Sequence, residues 1–176
     1  ELGTTFTDVG LEYKLSKNTT KNTENIASAE LLYALAESRF IAWKHVNKNG
    51  SKEISEWKLA KLDSAIDIAT NAHKLYLNKG FRTLDPEFYI TLGVIHEYHN
   101  PQVAINNYKQ ALRSAKSIND KPSLARAHEY IGGLNYFGLS RNTATTHLKE
   151  SFNLYLKLGN LSKVWQLGTR LGKLKE

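Results

Sequence analysis

Neither cysteine nor methionine occurs among the 176 residues. Without cysteine there can be no disulfide, no thiolate nucleophile and no cysteine-based zinc site, and the redox compartment is left open. The missing initiator methionine suggests a processed form or a piece excised from a longer protein. No apolar run approaches the roughly 18 residues that a membrane span requires. A charged stretch leading into an apolar one, as in a secretory signal, is also lacking, so a soluble chain is expected, with the cytoplasm favoured. Proline is scarce: Pro86, Pro101 and Pro122 each fall where a helix should begin. Phosphate loops are absent, because Gly132-Gly133 and Gly168 to Gly172 lie inside helical patterns with no preceding strand.

What the chain has in excess is positive charge, a formal +7 from 24 Lys and Arg against 17 Asp and Glu. Basic domains gain affinity for nucleic acid by displacing counterions. Here the cations are scattered. The local concentrations, Lys14, Lys17 and Lys21, then Lys163, Arg170, Lys173 and Lys175, are modest and carry no RNA-binding or zinc-finger signature. No nucleic-acid partner is expected.

Three dipeptides supply the organising signal. Leu92-Gly93, Ile131-Gly132 and Leu171-Gly172 recur at spacings of 39 and 40 residues, each inside a helix-like segment. Ala104, Tyr108 and Ala111 are answered 40 residues later by Ala144, Leu148 and Ser151, a small-x3-large-x2-small pattern that is traced back to Ala65, Ala69 and Ala72. A small residue must return where the two helices of a hairpin nearly touch, while larger ones fill the space beside it. The period is that of a helical-repeat solenoid.

Punctuation along the chain places the helices. Residues 1–25, rich in Thr, Asn and Lys, read as a leader, followed by a repeat domain over 26–176. Its hairpins are expected at about 26–80, 85–119 and 122–159, with a terminal helix at 161–175. Asn47 to Ser51 breaks the first pair and Gly80 ends it. Asp85-Pro86 and Asn100-Pro101 are N-caps with proline in the first turn, predicting helices to His99 and Ile118. Pro122 opens a helix to Phe137, and Gly159-Asn160 closes the next. The terminal helix either closes the array or begins a further repeat.

Catalytic constellations are lacking. His96-Glu97-Tyr98-His99 puts two imidazoles at i and i+3, but the spacing is not that of H-E-x-x-H and no third ligand is indicated. A structural role, without metal or other cofactor, is the expectation. Asp63 and Asp67 lie one helical turn apart among lysines and read as a solvated face. His45, His73, His128 and His147 have no nucleophile or paired carboxylate at a telling spacing. The chain is not expected to be an enzyme.

The two best units read Tyr89-x2-Leu92-Gly93-x2-His96 with Ala104-x3-Tyr108-x2-Ala111, and His128-x2-Ile131-Gly132-x2-Asn135 with Ala144-x3-Leu148-x2-Ser151. They resemble the tetratricopeptide repeat, W-x2-L-G-x2-Y followed by A-x3-F-x2-A. The period is longer than the usual 34 and is similar to that of kinesin-light-chain-type repeats. Tyr and His replace the Trp, and the closing proline is missing. The resemblance is carried by residues 85–176.

It implies an all-α, right-handed superhelix of antiparallel hairpins, about seven helices in total. It also implies that the first helix of each hairpin lines a concave groove through family positions 2, 5, 9, 12 and 13, counted with the small residue as 8. Those positions are Glu87, Ile90, Val94, Glu97 and Tyr98, then Arg126, Glu129, Gly133, Tyr136 and Phe137. With Ala36 as the small residue, Glu30, Tyr33, Glu37, Phe40 and Ile41 join them. Five of the twelve glutamates gather there while the lysines lie elsewhere, a charge separation that would steer a partner. The Lys and Asn clamp with which family members hold acidic chaperone tails is missing. The reading is a protein-interaction module for a basic or amphipathic peptide or helix. Its alternative is a sensory or regulatory segment, ligand-binding or dimerising, of a larger signalling or transcription-control protein.

Overall fold

A computed structural model of the chain describes residues 31–41, 56–78, 85–97, 100–136 and 140–174. Among these residues there are seven helices and no strand, the all-α class expected. They are α1 (residues 31–41), α2 (Glu56–Asn78), α3 (Pro86–His96), α4 (Pro101–Ser117), α5 (Lys121–Leu134), α6 (Arg141–Lys157) and α7 (Leu161–Lys173). The chain divides into two compact units, Glu1–Arg82 and Thr83–Glu176. The leader assigned to 1–25 lies outside the described residues.

In the first unit, α1 buries Ala36 and Phe40, and α2 buries Leu62, Ala65, Ala69 and Ala72. Alanine at every turn of one α2 face lets another backbone come close. Arg39 of α1 donates to Ser64 Oγ of α2 at 2.6 Å.

The second unit is built by consecutive helices packing on their neighbours. Each helix start is capped by a polar side chain that accepts from a first-turn amide. Asp85 accepts from Glu87 N, Asn100 from Val103 N, Asp120 from Ser123 N, Ser140 from Thr143 N and Asn160 from Lys163 N. The ends of α4 and α6 share one device at the same phase of the repeat. Asn119 (φ 57°) and Gly159 (φ 71°) take the left-handed conformation. The next amide then reaches back into the last turn, Asp120 N to Ala115 O at 2.8 Å and Asn160 N to Tyr155 O at 3.0 Å. This closure satisfies orphan carbonyls and turns the chain straight into the next N-cap.

Helices α3 and α5 stop sooner than the residue pattern suggests. After His96 the chain turns, and Asn100 N bonds back to His96 O at 2.8 Å. After Leu134 the turn widens, with Asn135 Nδ2 donating to Ile131 O at 2.8 Å.

Among the described residues of the second unit, two clusters form the core. Ile90, Ala104, Tyr108, Ala111, Ala127 and Ile131 join α3, α4 and α5. Ala125, Leu148, Tyr155 and Leu167 join α5, α6 and α7. At the closest approaches the glycine is obligatory. A Cβ on Gly93 would stand 2.5 Å from Tyr108 Cδ1, and one on Gly132 would stand 2.7 Å from Leu148 Cγ. The large residue of the small-x3-large-x2-small motif therefore packs on the glycine of its own hairpin. Ser151, fully buried, replaces the last alanine of that motif in α6 and donates its hydroxyl to Ala125 O at 2.9 Å.

Candidate functional site

The first helices of successive hairpins, α3, α5 and α7, are tied together by polar side chains. Glu87 of α3 pairs with Arg126 of α5, its counterpart one repeat later, and accepts from Ser123 Oγ at 2.9 Å. Burial opposes the Arg126 charge, but Glu87 and the neighbouring Tyr130 more than offset this and raise its pKa. Glu129 of α5 holds Lys163 Nζ of α7 at 2.8 Å and accepts from Tyr155 O–H at 3.0 Å. Glu97, at the end of α3, accepts from Tyr108 O–H at 2.6 Å. Burial, reinforced by the adjoining carboxylate, pushes the hydroxyls of both Tyr108 and Tyr155 well above the ordinary tyrosine value. Both therefore remain donors at neutral pH. Tyr108 also stacks on Tyr130, with centroids 5.0 Å apart.

These helices enclose a half-open depression of about 200 Å³, lined by Glu97, Glu129, Tyr130, Gly133, Leu134 and Arg170. A Cβ on Gly133 would meet nothing within 4 Å. The missing side chain thus leaves the depression open, unlike its neighbour Gly132, where the missing side chain admits another helix. The rim carries two carboxylates and, from Arg170, a guanidinium that makes no ion pair among the described residues.

Glu97, Glu129 and Gly133, the groove residues that family register implied, meet here. Glu87 and Arg126 are taken up by their mutual ion pair. Val94 packs against the core cluster of α3, α4 and α5, and Tyr136 against that of α5, α6 and α7. Tyr98, Phe137 and Glu30 lie outside the described residues.

Two expectations are corrected. Ile90 is not a groove residue: it is 1% exposed, inside the core with Ala127 and Ile131, because an apolar side chain at that register is consumed by packing of α3 on α5. Phe40 is buried as well. Nor do all the lysines lie apart from the glutamates, since Lys163 pairs with Glu129 directly.

Tyr130, Leu134 and Arg170 were missed. Arg170 stands 40 residues after Tyr130, at the same phase, so the register that places one places the other. A further pair also escaped notice: His128 and His147, across the α5–α6 hairpin, approach with Nδ1 atoms 3.0 Å apart. Burial, the partner imidazole and Lys116 lower the His128 pKa to about 4. Burial and Lys109 lower that of His147, against an opposing effect of Glu150. Among the described residues no group of three or more His, Asp or Glu side chains is placed to hold a metal ion. His99 of the candidate metal string lies outside them. No described helix is long and apolar enough to cross a membrane.

No family model and no curated protein sequence matches the chain. Its fold is similar to the crystal structure of BtubC (BKLC) from P. vanneervenii, with a TM-score of 0.64 and 12% identity. The likeness covers 97% of this chain and 71% of that one. At such identity it establishes the fold alone: an all-α, tetratricopeptide-like helical repeat.

Proposed function

We propose that this helical repeat is a protein-interaction module that captures a peptide or helix along α3, α5 and α7. The ligand is amphipathic. One apolar side chain sits over Gly133 between Tyr130 and Leu134, a basic group faces Glu97 and Glu129, and an acidic group faces Arg170. The observation that carries the reading is the depression itself. Side chains from three successive first helices converge on it, its floor is apolar, and its width depends on a glycine with no packing role. Small apolar anchors ringed by polar groups supply most of the energy in peptide recognition. Because Glu129 already holds Lys163 and Glu97 already holds Tyr108, the ligand's charges add orientation more than attraction.

A random peptide display library selected against the chain tests this. The enriched sequences should share an apolar anchor flanked by charges of both signs, and a Gly133→Leu bait should lose them. Enriched peptides that bind the Gly133→Leu chain equally well would show that binding lies elsewhere.

A further inference from the structure

In the second unit the fold sorts charges that are scattered along the sequence. Glu87, Glu97 and Glu129 fall on or beside the first helices, α3 and α5. The second helices are basic: α4 carries Lys109, Arg113 and Lys116 and no carboxylate, and α6 carries Arg141, Lys149 and Lys157 against Glu150 alone. All of these cations are exposed, and none makes an ion pair among the described residues. At about 100° per residue, Gln102, Asn106, Lys109, Arg113 and Lys116 form one stripe of α4, opposite the side that buries Ala104, Tyr108 and Ala111. The repeat puts Asn142, Thr146, Lys149, Asn153 and Leu156 on the same stripe of α6, 40 residues on. Glu150 lies about 100° around the helix from Lys149, off the stripe. The two stripes are neighbours. Lys109 and Lys116 of α4 are near enough for their charge to act on His147 of α6 and His128 of α5, whose imidazoles meet across the hairpin at 3.0 Å.

We propose that this outer face of α4 and α6 binds the phosphate backbone of a nucleic-acid duplex without regard to sequence. Its composition selects that partner. Cations interspersed with amides and a hydroxyl, from Gln102, Asn106, Asn142, Thr146 and Asn153, are the donors that hold phosphate oxygens. From Lys109 to Lys116 the helix rises about 10 Å, about three base steps of one strand at ~3.4 Å each. The stripes have no aromatic residue on which unpaired bases could stack. Their single apolar residue, Leu156, stands at the end of α6, so a protein partner would find no central anchor. The inference does not depend on ligand capture along α3, α5 and α7.

The test is fluorescence anisotropy of a labelled DNA duplex of about 20 base pairs and mixed sequence, titrated with the full chain. Binding is expected at low salt, with log K falling against log salt at a slope of about −3 to −4 for Lys109, Arg113, Lys116 and Lys149 together. Combining Lys109→Gln, Arg113→Gln and Lys149→Gln should weaken binding roughly tenfold or more and flatten the slope by about 3, at unchanged helicity. Combining Lys74→Gln, Lys121→Gln and Lys173→Gln removes the same charge away from the stripes and should weaken binding less than about threefold. Gly133→Leu should leave duplex binding intact, which separates this surface from the peptide site. The proposal is overturned by the absence of duplex binding, by equal losses in the two triple variants, or by a salt slope that the stripe variant leaves unchanged. It is also overturned if polyglutamate or vesicles of anionic lipid bind through the same residues more tightly than the duplex, because the occupant would then be an acidic protein or a membrane.

Discussion

Adjacent glycines in α5 should respond to alanine with opposite signs. At Gly132 a Cβ would lie 2.7 Å from Leu148 Cγ, 2.8 Å from its Cδ2 and 3.1 Å from its backbone N. Two of those atoms belong to a fully buried side chain and the third to the backbone of α6, so relief requires the two helices to separate. Overpacking of this kind costs about 1–3 kcal/mol, against a helix-propensity gain of at most ~1 kcal/mol. Gly132→Ala should therefore destabilise the Thr83–Glu176 unit. The net loss should be about 1–2 kcal/mol, a fall in Tm of roughly 5–15 °C for a unit of this size. At Gly133 no neighbour lies within 4 Å, so alanine keeps the propensity gain and should raise Tm by a few degrees. Scanning calorimetry of both variants reads the contrast. A cycle with Leu148→Ala sharpens it, since removing the side chain should abolish much, but not all, of the Gly132→Ala penalty while the α6 amide remains close. Equal effects at the two glycines, or a raised Tm for Gly132→Ala, would refute the assigned hairpin packing.

Other perturbations follow from the same contacts. His128 and His147 are neutral in the fold, with pKa values below the usual 6.5. The unfolded chain therefore binds more protons under acid, and stability should be complete above about pH 6.5 and fall as pH drops toward 4. His128→Gln should flatten that slope in pH-dependent melts, and an unchanged slope would contradict the pairing. Glu129→Lys should cost about 1–3 kcal/mol in denaturant titration, because it strands Tyr155 and repels Lys163. A neutral effect would mean that the carboxylate is merely solvated. Leu167→Ala, at the fully buried contact of α7 with the core, should cost about 2–5 kcal/mol by the same assay, and a loss under 1 kcal/mol would mean that α7 is peripheral.

Much of the fold was legible because its signals are local. Proline after an N-cap marks where α3 and α4 start, and glycine at a phase of about 40 residues marks the helix crossings that Tyr108 and Leu148 then fill. The site was legible only in part. Family positions treat Ile90 and Glu129 alike, yet chemistry sends the isoleucine into the core and keeps the glutamate at the rim. Pairs such as Glu129 with Lys163, 34 residues away, depend on how one hairpin stacks on the next. No spacing within a helix encodes that. The His128–His147 contact likewise requires the hairpin register. The different roles of Gly132 and Gly133 can be seen only once α6 is in place.

In the proposed function, ligands are held on the face of α3, α5 and α7 that carries the depression. Amide chemical-shift mapping of the chain with a peptide from the display selection tests it most directly. The largest perturbations should fall on Glu97, Glu129, Tyr130, Gly133, Leu134 and Arg170. Perturbations confined to the outward residues of α4 and α6, such as Lys109, Arg113, Lys149 and Asn153, would contradict it.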